Sequence, residues 1–349
     1  MSGLRFGLGR YTDGARTFSA LVMGELAIEL EPLHERYRQS ARAGAGALSG
    51  CRDILEVVED WDRHFDVLQA MAEFAHDEGF DRAAGGASQS RGAAAAAEAG
   101  ALAHAVGGLR PLPPIRRPSK ILNCASNYSA HLAEMRQYTV TGGNVDPSTI
   151  YKGDKSSAQP YLFLKAPSAL IGAHDDIVLP GPEDQIDWEA ELCVVIGRPA
   201  RKVSVDKALE HIAGFMIFND VSCRNLLFRA DRPNLRTDWL ASKSFDTFAP
   251  CGPLMIPRAF VAQHGALHIQ LRVNGRIRQN GIAGEMIYSP EEQIEYVSRM
   301  MTLESGDLIA TGTIGGVGQG TGEFLKAGDL VETEIEGLGM QRNRVVAAD

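Results

Sequence analysis

The chain has 349 residues, 44% of them hydrophobic, with 35 Lys and Arg against 44 Asp and Glu and a formal net charge of −9. That length suits two domains of ordinary size or one large domain with an appendage, and the apolar share supports a buried core, which excludes global disorder. An acidic balance speaks against a nucleic-acid partner, whose phosphates demand a basic surface, and it raises the question of whether some carboxylates hold a cation.

Cys51, Cys124, Cys193, Cys223 and Cys251 are odd in number and widely spaced, with no C-x-x-C pair. A disulfide framework or zinc finger is not expected, and a reducing cytosol is the default compartment. Residues 1–10 lack the apolar region of a signal peptide, and no run reaches the roughly 18 apolar residues of a membrane span. The expectation is a soluble cytoplasmic protein with no membrane partner.

In chain order, residues 4–33 alternate short apolar runs with turn signals at Thr12-Asp13-Gly14 and Gly24-Glu25, which predicts two or three strands. Val57, Val58, Trp61, Phe65, Leu68, Met71 and Ala72 recur at helical spacing between a capping pair, Asp53 with Glu56, and Gly79. One amphipathic helix over 54–78 follows. Residues 83–108 are rich in Ala and Gly and fit a small helix or a linker equally. Pro111, Pro113, Pro114 and Pro118 then mark a domain boundary. Beyond it, strands are predicted at 121–124, 192–196, 215–218, 267–273, 308–310 and 330–335, with a hairpin at Asn274-Gly275. Helices are fewer, around 128–138, 205–212 and 290–301, and two Gly-Asp turns, Gly306-Asp307 and Gly328-Asp329, each feed a strand. The fold class is α+β and β-rich.

Three features carry possible chemistry. In Asp187-Trp-Glu189-Ala-Glu191, residues two apart share a strand face, and two like charges entering an apolar strand need a cation or donors to offset them. Asp220 ends another apolar run, so Glu189, Glu191 and Asp220 suit a hard divalent ion such as Mg²⁺, Ca²⁺ or Mn²⁺. On spacing alone, a solvated strand face plus a turn-capping acid is the more economical reading. His131 and Glu134 lie on one helical face, where a carboxylate would raise the basicity of an imidazole acting on water, although spacing alone favours an exposed helical pair. The glycine-rich stretch from Thr311 to Gly322 lacks the Lys of a P-loop and precedes no long helix. It fits either a flexible connection or a source of backbone N–H groups for an anion.

Taken together, these phrases resemble the fumarylacetoacetate hydrolase family over about residues 118–346. The matching run is Asn127-Tyr-x-x-His131-x-x-Glu134, Leu164-Lys165-Ala-Pro, Asp187-Trp-Glu189-Ala-Glu191-Leu, Asn219-Asp220-Val-Ser222-Cys-Arg224, Lys243-Ser-Phe-Asp-Thr-Phe248, Gly252-Pro253, Asn274-Gly275, Met286-Ile287 and Gly306-Asp307 with Thr311-Gly-Thr313. The resemblance implies a rolled mixed β-sheet catalytic domain over 116–349, a smaller N-terminal α+β domain over 1–115, and a homodimer. It implies a divalent cation, Mg²⁺ first with Mn²⁺ or Ca²⁺ as alternatives, held by Glu189, Glu191 and Asp220. By the same resemblance His131 and Glu134 activate water, Lys243 stabilises the carbanion-like leaving group, and Arg224, Thr313 and Tyr128 contact the substrate.

The chain departs from the family at Leu227, where Gln is common, at Ile314, where Pro is usual, and in a longer stretch over 136–160 that is expected to form a lid. The leading expectation is metal-dependent hydrolysis of a C–C bond in an acylpyruvate-like β-diketo acid, within aromatic or sugar-acid catabolism. Rival expectations are oxo-acid decarboxylation, keto–enol isomerisation or sugar-acid dehydration by the same fold, and a non-catalytic ligand-binding member.

Overall fold

The computed structural model describes residues 3–42, 46–80, 102–142, 154–181, 184–232, 234–235 and 237–348. Residues 83–101 of the Ala- and Gly-rich stretch and 143–153 of the expected lid lie outside the described residues.

The apolar run after Glu191 forms the strand Ala190–Ile196, every residue of which is buried. A strand covered on both faces reads as near-continuous hydrophobic sequence, as this one does beyond Glu191. It pairs antiparallel with Ile212–Asn219 on one side and Leu308–Thr313 on the other. These strands sit inside an 11-stranded sheet, the larger of two main sheets among the described residues. Its path runs Ala103–Ala105, Leu26–Glu29, Thr17–Met23, Gly7–Thr12, Leu254–Pro257, Ile212–Asn219, Ala190–Ile196, Leu308–Thr313, Ile121–Ala125 and Tyr161–Lys165. Arg110–Leu112 also pairs with Gly7–Thr12. Ile121–Ala125 joins parallel and its neighbours antiparallel, so the sheet is mixed. A second sheet of five strands orders Arg276–Ile282, His268–Val273, Leu330–Ile335, Gly339–Ala347 and Ile177–Leu179.

The α+β expectation holds, and most predicted strands appear close to their expected bounds. Residues 4–33 give three strands followed by the helix Leu30–Gln39. Asn274 and Gly275 have φ of 53° and 74°, the positive pair that a tight hairpin turn requires, between His268–Val273 and Arg276–Ile282. Pro290–Met300 opens with a capping box of Ser289 and Glu292. The single helix expected over 54–78 is instead two, Ile54–Val58 and Trp61–Asp77. Asp53 caps the first through Leu55 N, as its sequence position suggests, but Asp60 has a non-helical backbone at φ −128°, ψ 51° and restarts the chain. Periodicity ran across that break because both pieces bury one face in the same core.

One apolar cluster runs from Phe6 to Val345 and includes side chains of both N-terminal helices and of the central strands. The sheet therefore continues across the proline-marked change of texture near residue 115. Among the described residues, no helix is long and apolar enough to cross a membrane.

The two Gly-Asp turns have one construction. Gly306 and Gly328 sit at φ 84° and 97°, and the following Asp accepts the backbone N–H three residues back, Glu304 N at 2.7 Å and Lys326 N at 2.8 Å. Asp307 is fully buried and also accepts Ser119 Oγ, Lys120 N and Lys120 Nζ, each at 2.8 Å, whereas Asp329 is half-buried with Asn274 Nδ2 as its other partner. Removing a buried, multiply bonded carboxylate costs more than removing a wet one. Asp307→Ala should lower stability by about 3 kcal/mol and Asp329→Ala by about 1 kcal/mol in chemical denaturation. Equal losses would show that burial does not separate the two turns.

Candidate active site and metal centre

Strand pairing builds the acidic cluster. Ala190 stands opposite Asn219, so Glu189 and Asp220 leave adjacent strand ends side by side, and Asp220 N donates to Glu189 O at 2.9 Å. Glu191 is two residues further on the same face, and its Oε2 accepts Gly312 N at 2.8 Å from the neighbouring strand. Glu189, Glu191 and Asp220 are all buried, and one oxygen from each lies within 4.8 Å of the others. A solvated strand face is thus excluded in favour of an enclosed all-oxygen cluster, the donor set that hard divalent cations prefer.

Such crowding is costly without countercharge. Lys243 Nζ sits between Glu189 Oε2 and Asp220 Oδ2, 2.7 Å from each. Lys165 Nζ, fully buried, lies 2.6 Å from Asp220 Oδ1 and 2.9 Å from the Val221 carbonyl. Arg224 donates from Nη2 to Glu189 Oε1 at 2.5 Å and from Nε to Asp187 Oδ2 at 2.8 Å. Burial opposes ionisation of Glu189, but Lys243 and Arg224 outweigh it and hold this carboxyl well below its usual range. Burial pushes Glu191 in the opposite direction, and the charges of Asp220 and Glu189 push it further. Burial lowers Lys165 to about 8 despite Asp220, while Lys243 is raised because Asp220 and Glu189 overcome the same burial. Among the described residues, Glu191 is thus the member of the trio with no salt bridge to a cationic side chain, although the charge of Lys243 acts on it, which fits a divalent cation as further countercharge.

His131 and Glu134 lie on the helix Ser129–Gly142, fixed at its start by Asn127. The Asn127 amide donates to Tyr288 O and Thr311 O and accepts Tyr288 N. His131 is buried, and its Nδ1 stands 3.9 Å from Glu134 Oε2. Among the described residues neither atom has a hydrogen-bond partner, whereas Glu134 Oε1 accepts Gly316 N at 2.7 Å. His131 is also close enough for its charge to bear on Glu189. The structure therefore brings together Glu189, Glu191, Asp220, Lys243, Arg224, His131 and Glu134.

Tyr128 and Thr313 stand beside this group with their hydroxyls engaged by the scaffold. Tyr128 Oη donates to Ala283 O at 3.1 Å, and Thr313 Oγ1 donates to Ala190 O at 3.0 Å and accepts Gln279 Nε2 at 2.8 Å. Leu227 and Ile314, the two departures from the family pattern, are both buried. The glycine-rich stretch does present backbone N–H groups to anions, and those anions are the protein's own. Gly312 serves Glu191, Gly316 serves Glu134, and Gly318 and Gln319 serve Asp187.

Sequence reasoning assigned no role to Lys165 or Asp187. The signal for Asp187 was present, since it shares the two-residue alternation of Glu189 and Glu191. The signal for Lys165 was a lone Lys in the otherwise apolar and aromatic strand Tyr161–Lys165.

Comparison with known proteins identifies the family. Residues 120–346 match the model for the fumarylacetoacetate hydrolase C-terminal family. An uncharacterized protein of Pyrococcus abyssi is 41% identical over 67% of this chain and 92% of its own length. The mitochondrial oxaloacetate tautomerase FAHD2A of Bos taurus is 38% identical over 67% of this chain and 69% of its own length. The solved structure of fumarylacetoacetate hydrolase from psychrophilic Exiguobacterium antarcticum superposes with a TM-score of 0.69 at 25% identity, covering 98% of this chain and all of that one. On the matched residues and on these identities, the chain belongs to the fumarylacetoacetate hydrolase family.

Proposed function

We propose that this protein is a divalent-cation-dependent enzyme that forms the enolate of a 2-oxo acid. The observation that carries the reading is the enclosed trio Glu189, Glu191 and Asp220 beside the His131–Glu134 pair. When bound there, Mg²⁺, Mn²⁺ or Ca²⁺ supplies Lewis-acid stabilisation of negative charge developing on the oxo acid. Lys243 adds a preorganised positive charge at the same place, anchored by two carboxylates so that it needs no reorganisation. Arg224 is held by Nε and Nη2, which leaves Nη1 to meet a substrate carboxylate. His131 is the base, with Glu134 oriented behind it by Gly316.

Two reactions complete the enolate step. In keto–enol tautomerisation, His131 moves a proton between C3 and the enol oxygen, and no water is consumed. The 38% identity to an oxaloacetate tautomerase supports this reaction on an oxaloacetate-class acid. In C–C hydrolysis of an acylpyruvate, His131 takes a proton from water, whose oxygen attacks the acyl carbonyl; the bond from that carbon to C3 then breaks, releasing a carboxylic acid and the enolate of pyruvate, which takes a proton back at C3. The complete His131–Glu134 pair supports that second reading. We also propose the homodimer, for which Tyr161 and Leu164 on the edge strand Tyr161–Lys165, and Leu240 beside them, offer exposed apolar side chains.

Oxaloacetate and a set of acylpyruvates, followed by enol absorbance and by mass spectrometry of products, separate the two reactions. EDTA should abolish turnover of either, and His131→Ala should lower kcat by at least about 100-fold. EDTA-resistant turnover, or wild-type rates for His131→Ala, would overturn the mechanism. Calorimetry with Mn²⁺ should show one site per chain in the wild type and no measurable binding to Glu191→Gln, which keeps an acceptor for Gly312 N but loses the charge. Light scattering should return twice the mass of the chain, and Leu240→Glu should return the monomer.

A further inference from the structure

We infer that Asp187 is a positioning residue that couples the glycine-rich loop, and through it Glu134, to Arg224 and Glu189. The inference rests on the proposed roles of Glu134 and Glu189. Asp187 is fully buried, and its two oxygens accept four donors. Oδ1 takes Trp188 N at 2.8 Å and Gly318 N at 2.6 Å, while Oδ2 takes Gln319 N at 3.0 Å and Arg224 Nε at 2.8 Å.

A buried carboxylate with four donors can be structural only, and the ends of its bonds argue otherwise. One pair holds residues 318 and 319 of the loop. Two residues earlier in that loop, Gly316 N holds Glu134 Oε1 at 2.7 Å. The neighbouring side chain completes the fastening, because Trp188 Nε1 donates to Gly316 O at 3.0 Å. Asp187 and Trp188 thus pin the loop on both sides of residue 317, and the pinned loop fixes the Glu134 oxygen that does not face His131. The remaining side-chain partner, Arg224, carries the same restraint to Glu189 Oε1.

Glycine makes both approaches possible. A Cβ at Gly318 would lie 2.7 Å from Asp187 Oδ1 and 2.1 Å from Glu323 O, and one at Gly316 would lie 2.0 Å from Arg278 O, with φ at +101° there. The base pair and the metal-side carboxylate therefore share one anchor. A ligand to the metal and the group that orients the base are set together, as supporting shells of hydrogen bonds do elsewhere.

Asp187→Asn keeps the size of the side chain but turns one acceptor into a donor, so it cannot satisfy both the loop and Arg224. It should lower kcat by about 10- to 100-fold and weaken Mn²⁺ binding by about 10-fold in calorimetry, a readout independent of turnover. The decisive measurement is a double-mutant cycle with Glu134→Gln. If Asp187 acts through Glu134, adding Asp187→Asn to Glu134→Gln costs less than about threefold more in kcat. Effects that multiply in full would overturn the inference, as would wild-type kcat and Mn²⁺ affinity for Asp187→Asn. Should Asp187→Asn fail to fold, Trp188→Phe releases the other side of the loop, and the same cycle with Glu134→Gln decides. Wild-type rates for Glu134→Gln itself would instead overturn the proposed function, a result distinct from failure of the coupling.

Discussion

Burial of like charges at the mouth of one strand pair is the constraint on which the rest of the site depends. Asp187, Glu189, Glu191 and Asp220 are enclosed together, and the buried cations Arg224, Lys243 and Lys165 interleave with them. The resulting order, Asp187 to Arg224 to Glu189 to Lys243 to Asp220 to Lys165, alternates sign at every step. Each carboxylate in that chain is held by a charged donor, which is how such groups escape the full penalty of leaving water. Glu191 stands outside the alternation, with the Gly312 backbone N–H as its hydrogen-bond donor among the described residues. With Glu134 the centre holds five carboxylates against Arg224, Lys243 and Lys165, an excess of two that a divalent ion would balance.

The backbone is recruited to the same task. A glycine-rich loop in an α/β protein commonly cradles a phosphate, but here its amides are engaged by carboxylates of the chain itself. The loop is a positioning element for side chains, which explains why it needs close approach at Gly316 and Gly318. Buried amides extend the same logic. Gln279 accepts Ala190 N between the two glutamates, and Asn219 Oδ1 accepts Glu189 N, so the backbone carrying the cluster is pinned from neighbouring elements.

What was legible in the sequence follows from which forces are local. Strand alternation put Glu189 and Glu191 on one face, and apolar runs ending in acids placed Asp220 nearby, because pleat period and burial are read along the chain. The choice between a metal site and a wet strand face was not local, since it depended on Lys165, Lys243 and Arg224 arriving from elsewhere. The same holds for the helix break at Asp60, where one apolar face continued through a change of backbone direction. Asp187 escaped notice as a site residue because its partners, Gly318 and Gln319, lie far along the chain and act through backbone atoms that leave no residue-type signature.

The segment ahead of the family match also bears on the site. Gly7–Thr12 pairs with Leu254–Pro257, which in turn pairs with Ile212–Asn219, the strand that delivers Asp220. On the other flank, Leu55 of the helix Ile54–Val58 packs where a Cβ on Gly306 would stand, 2.2 Å from Leu55 Cδ1. That glycine opens the turn that launches Leu308–Thr313 and its Gly312, the donor to Glu191. N-terminal residues therefore brace both strands that flank Ala190–Ile196. Without them Leu254–Pro257 would become an open sheet edge and the apolar cluster would lose its wall of Phe6, Leu8 and Leu21. A carboxylate cluster held together by opposing charges tolerates little displacement of the strands that carry it. The N-terminal third is thus part of what holds the carboxylate cluster in place, although none of its described side chains enters the cluster.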